Sequence, residues 1–134
     1  MNPYYAVATA LYCTVIWIAS ANPDLSPAEL PLEGLDKVIH MVEYAVLATL
    51  VSLGMRRSRR GWSEWALCFG PMFFALAYGT VDEIHQLFVP NREFDLGDIV
   101  ANFAGGALAQ SVLCYFWGRR TKPEPPIADR TRES

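Results

Sequence analysis

Residues 1–23, 44–55, 65–81 and 99–118 contain no Asp, Glu, Lys or Arg, and together they make up over half of the 134-residue chain. A helix on the surface of a soluble domain carries charge along its outward stripe every turn or so. These stretches carry none, which argues against a purely soluble fold and puts their outward faces against lipid. A helix crossing the hydrocarbon needs about 20 mostly apolar residues, and the pattern predicts four such helices at 4–21, 37–55, 63–81 and 98–117. Tyr4, Tyr5, Trp17, Trp62, Trp65, Tyr78, Tyr115 and Trp117 fall near their ends, where amphipathic rings sit among headgroups. Ala19-Ser20-Ala21 has the small-x-small form of a signal-peptide cleavage site, but Met1-Asn2-Pro3 brings only the α-amine where a signal peptide has a basic stretch, so the first segment reads as a membrane helix.

Composition adds little, since 52% apolar and 19% charged is close to an ordinary globular chain. The placement of charge adds more. Nine of the eleven basic residues lie either in the connection around Arg56, Arg57, Arg59 and Arg60 or beyond residue 118, while the other two connections hold Lys37 and Arg92 among many acids. The positive-inside rule puts both termini and the Arg-rich connection in the cytoplasm and the acidic connections outside. The net charge of −3 hides this asymmetry. The basic clusters are short and lie against the membrane, so nucleic-acid binding is not expected. Residues 22–35 read as an outward loop, and 121–134 as a disordered cytoplasmic tail, both from their proline content. The expectation is an all-α, integral membrane four-helix bundle over residues 1–120, with N- and C-termini cytoplasmic. Gly70-Pro71 falls within the third helix, where a proline removes a backbone hydrogen bond and bends the axis. Cys13, Cys68 and Cys114 sit singly in apolar segments and read as small hydrophobes outside any disulfide framework. Ala101, Gly105 and Ala109 recur every four residues and read as a packing seam.

The chemistry concentrates at the outward helix ends. Asp36, His40 and Glu43, with Tyr44 beside them, share one face of the second helix; Asp82, Glu83 and Gln86, with His85 between, fall within a turn at the end of the third. Asp95, Asp98 and Asn102 share a face at the start of the fourth, with Arg92 just before them. Alternating helices put all three sets at one level. A carboxylate inside a bilayer costs several kcal/mol unless paired, protonated or hydrated, so the cluster is either a packing network or a site. The candidate binding set is Asp36, Lys37, His40, Glu43, Tyr44, Asp82, Glu83, Gln86, Arg92, Asp98 and Asn102. In it Arg92 and Lys37 would meet a phosphate or carboxylate, and the acids would orient them or accept donors from a ligand. A metal held by His40, Glu43, Asp82, Glu83 and His85 lacks the spacing of a His-Glu-x-x-His helix or of paired Glu-x-x-His motifs, so neither metal nor cofactor is expected. Two other readings stay open: acid/base or metal-assisted catalysis on a lipid-linked substrate, with His40 as acid and base, and proton coupling through Glu43 and His40.

Asp36-Lys37-Val38-Ile39-His40 with Tyr44, then Asp82-Glu83-Ile84-His85-Gln86-Leu87-Phe88, then Pro90, Arg92, Asp98, Asn102 and Gly105, resembles the signature of VanZ-like membrane proteins. Asn91 stands where that pattern has a glycine. The family is named for a component of glycopeptide-resistance gene sets that lowers susceptibility to teicoplanin. The resemblance implies a small helical membrane protein of the bacterial envelope; with the polar cluster, the expected partners are the lipid bilayer and an envelope lipid headgroup or peptidoglycan precursor. It attaches no reaction.

Overall fold

A computed structural model describes residues 1–22, 34–90 and 92–120 of the chain. Residues 23–33 of the loop expected at 22–35, the tail 121–134 and Asn91 lie outside the described residues. Four helices are present: α1 Pro3–Ser20, α2 Leu35–Arg56, α3 Glu64–Gln86 and α4 Leu96–Arg120. Their starts follow local chemistry. The Asn2 side chain accepts from Tyr4 N–H at 3.1 Å, with Pro3 in the first turn, where its missing N–H costs nothing. Ser63 caps α3 by accepting from Ala66 N–H at 3.2 Å. Asp95 caps α4 by accepting from Gly97 N–H at 2.7 Å. The chain enters α2 through Gly34 at φ 81°, a left-handed conformation that glycine adopts without strain.

α2 and α4 share the most extensive interface, α3 packs on both, and α1 lies outside them against α2 with a slight contact to α3. At one end Asn2 N–H donates to Gly54 O at 2.9 Å, joining the start of α1 to the end of α2. Two apolar cores run down the bundle. Ile16, Tyr44, Leu47, Ala48 and Ala75 form one, with Tyr12, Cys13, Tyr78 and Ala109 against it. Val51, Met55 and Leu67 form the other, nearer the Arg-rich connection. The Tyr78 hydroxyl donates to the Cys13 carbonyl at 2.5 Å and fastens α3 to α1.

The outer surface is apolar. On α1 the exposed stripe is Tyr4, Val7, Leu11, Val15 and Ile18, whereas Thr9, Ile16 and Ser20 are buried. On α2 it is Val38, Val42 and Val46. This inversion of the soluble pattern suits a helix whose solvent is hydrocarbon. α1, α2 and Leu96–Trp117 of α4 are long and apolar enough to cross a membrane. α3, expected as a fourth span, has the length at 23 residues, but Gly70, Pro71, Tyr78, Gly79 and Thr80 keep its apolarity below that of the other three. It also runs to Gln86, five residues past the end predicted from charge, because Asp82, Glu83 and Gln86 turn inward and are buried. Pro71 is buried inside this helix without ending it.

The reading of all three cysteines as unpaired hydrophobes is corrected. Cys68 and Cys114 form a disulfide, with Cα atoms 6.3 Å apart. The antiparallel arrangement of α3 and α4 brings two cysteines 46 residues apart to the same depth, which an odd count of isolated cysteines gave no means of seeing. Cys13 alone is free.

Candidate functional site

The end of α1, the start of α2, the end of α3 and the start of α4 meet at one end of the bundle. Three helices present the same device there, an ionisable residue with a second position one turn deeper on the same face: His40 with Tyr44 on α2, Glu83 with Gly79 on α3, Asp98 with Asn102 on α4. Gly79 makes the deeper layer possible. A Cβ on it would lie 2.7 Å from Asn102 Nδ2 and 2.9 Å from Tyr44 Cε1.

Lys37 organises the rim. Its Nζ sits 2.6 Å from Asp98 Oδ1 and 2.9 Å from Asp36 Oδ2, and also bonds Asp95. The ammonium, helped by Gly97 N–H, holds the Asp95 carboxyl below the usual carboxylate range. Lys37 thus pairs with three acids.

Below the rim, Asp82, Glu83 and Asn102 are 1%, 0% and 1% exposed. Asp82 accepts from Ser20 Oγ at 2.6 Å. Glu83 accepts from Gln86 Nε2 and from Asp95 N–H, both at 3.3 Å. Neither carboxylate has a cationic partner among the described residues. His40 Nε2 lies 3.7 Å from Asp98 Oδ2, and its Nδ1 is buried with no hydrogen bond. Tyr44 Oη and both amide atoms of Asn102 are buried without partners as well. Buried polar groups are normally satisfied, and the described residues leave these four atoms at one end of the bundle without a hydrogen bond.

A cavity of about 40 Å³ adjoins the cluster, lined by Ile16, Ala19, Ser20, His40, Glu43, Asp82, Gln86 and Arg92. That is room for roughly three waters. The Arg92 side chain makes no ion pair among the described residues, and its Nε is buried without a hydrogen bond.

All eleven sequence candidates lie at this end, in three neighbouring groups. Asp36 and Lys37 form the rim; His40, Glu43, Asp82, Glu83, Gln86, Arg92 and Asp98 surround the cavity or the buried acids; Tyr44 and Asn102 lie a turn deeper. Sequence reasoning missed Ser20 and Trp17. Ser20 binds Asp82, and Trp17 stacks on His85 with ring centroids 3.8 Å apart. The available signal was that α1 ends at the level of the other polar ends, with a hydroxyl and an indole in its last turn.

A search of curated proteins and of solved structures finds no match to the chain. The family model described as VanZ/LLP1 matches residues 4–118. That match spans all four helices and every residue of the polar end, and with it the chain belongs to the VanZ/LLP1 family.

Proposed function

We propose that this membrane protein crosses the bacterial cell membrane several times, with its termini and Arg-rich connection cytoplasmic, and that its polar end faces outward. There it binds an anionic group of an envelope lipid headgroup or peptidoglycan precursor and so lowers susceptibility to glycopeptides such as teicoplanin. The observation that carries this reading is the division of labour between the two outward cations: Lys37 is taken up by three acids, whereas Arg92 lines the cavity with its guanidinium unpaired among the described residues. An arginine fork suits a phosphate or carboxylate in two-point contact. Glu43 and Asp82, on the same cavity, are placed to accept hydrogen bonds from the ligand's donors.

Arg92→Gln should accumulate in the membrane like wild type, lose the anionic species that co-purifies with wild-type protein in native mass spectrometry, and lose protection against teicoplanin. Wild-type protein that carries no such species and gives no protection rejects the reading. The orientation is tested separately. A reporter fused after Ser58 should behave as cytoplasmic and one inserted at Ser26 as exported.

A second reading, an acid/base or metal-assisted hydrolase or transferase acting on a lipid-linked envelope substrate, is favoured by His40 standing beside the buried Glu83 and Asp98. Turnover of such a substrate by purified protein distinguishes it from binding alone.

A further inference from the structure

We propose that His40, Glu83 and Asp98 form a binding site for one divalent cation of the Zn²⁺ type. One ligand atom from each, contributed by α2, α3 and α4, lies within 4.8 Å of both others, and all three residues are buried. Zn²⁺ bonds of about 2.0–2.2 Å in a tetrahedron set donor separations of about 3.4 Å, close to the 3.7 Å between His40 Nε2 and Asp98 Oδ2. One imidazole with two carboxylates suits Zn²⁺ first and Mn²⁺ second, while Mg²⁺ and Ca²⁺ prefer oxygen alone.

Independent observations point to an occupant. Glu83 is wholly buried, yet its partners, the Gln86 amide and the Asp95 N–H, are both neutral. The His40 imidazole is 6% exposed, its Nδ1 has no partner, and its Nε2 stands beyond hydrogen-bond reach of Asp98. A wholly buried Glu83 carboxylate without a cation, beside an imidazole with an unmet nitrogen, is costly as it stands, and a dication offsets that charge while using the imidazole lone pair, with Asp98 shared between the ion and Lys37. The surroundings have the form of an outer ligand shell. Lys37 holds Asp98 Oδ1 at 2.6 Å and leaves Oδ2 toward His40, and Gln86 fixes Glu83 Oε1. His40 also walls the cavity, so a water can complete the coordination, as in open zinc sites. The other acidic group, Asp36, Asp95 and Asp98, surrounds the Lys37 ammonium, contains no imidazole, and leaves Asp36 and Asp95 in contact with solvent.

This site does not depend on the headgroup reading, because Arg92 takes no part in it. Purified full-length protein in detergent, stripped with chelator and titrated with Zn²⁺ alone, should bind one equivalent at micromolar concentration or below. Mn²⁺ should compete and Mg²⁺ should not. Substituted Co²⁺ should give visible bands that His40→Gln abolishes. Glu83→Gln and Asp98→Asn should each lower affinity by about a hundredfold or more, while Asp36→Asn and Arg92→Gln keep the ion. Wild-type protein that binds no Zn²⁺ or Mn²⁺, or binding that survives the loss of all three ligands or vanishes with Asp36→Asn alone, overturns the proposal, and the wild-type titration decides even where a variant fails to fold.

Discussion

Gly105→Ala is expected to remove most folded protein from the membrane, although it adds a single methyl group. A Cβ at this position would stand 2.1 Å from the Met41 carbonyl oxygen and 2.8 Å from its carbon. The obstacle is backbone, which has no rotamer to change, so α2 and α4 must move apart along the largest interface of the bundle. Over-packing a core ordinarily costs about 1–3 kcal/mol because side chains can shift; here the cost should exceed that range. Small residues are the usual means of bringing transmembrane helices close, and α4 supplies Ala101 and Ala109 a turn to either side of Gly105. Gly106 provides the control. Its Cβ would meet Ala75 Cβ at 3.3 Å and Ala48 Cβ at 3.8 Å, so Gly106→Ala should accumulate nearly as wild type. Monodisperse yield and the thermal midpoint in detergent read both variants, and equal behaviour of the two would refute the seam.

The helices were legible because lipid forbids charge: each charge-free window lies within or overlaps a helix, and the seam at Gly105 showed as a four-residue recurrence. The same rule placed the end of α3 too early. Asp82, Glu83 and Gln86 look like the end of a span until their side chains are seen to turn inward. The clustering of the polar ends followed from up-and-down topology alone. The partnerships within it did not, because they depend on helix rotation, which spacing leaves undetermined. Rotation surrounds Lys37 with three acids, and brings His40 close to Glu83 and Asp98 as well as onto the cavity it shares with Glu43 and Asp82. It also turns Ser20 to Asp82 and closes Cys68 on Cys114.

Lys37→Met is expected to reverse how stability depends on pH. In the wild type, Lys37 draws the Asp95 carboxyl below its unfolded value. A carboxyl whose folded pKa is depressed contributes stability that is present above the unfolded value, about 3.9, and is lost as pH falls through the folded one. Wild-type protein should therefore hold its thermal midpoint from neutrality down to about pH 4 as far as this group is concerned, and weaken below. Removing the ammonium leaves Asp36, Asp95 and Asp98 facing one another around an empty centre, and Asp98 is 8% exposed. Breaking a buried pair costs about 3–5 kcal/mol. The Lys37 side chain is 33% exposed, so water screens part of the loss and about 2 kcal/mol is the expected cost near pH 7. Protonating any of the three acids then relieves repulsion, so the variant should gain stability relative to wild type on acidification from pH 7 to 5, a range over which the Asp95 contribution in wild type does not change. Lys37→Met/Asp98→Asn should recover much of the loss at pH 7, since the most buried of the three charges is gone. Thermal midpoints of the three proteins across that pH range test the point, and a variant that loses stability in parallel with wild type at every pH would show that Lys37 contributes packing rather than charge.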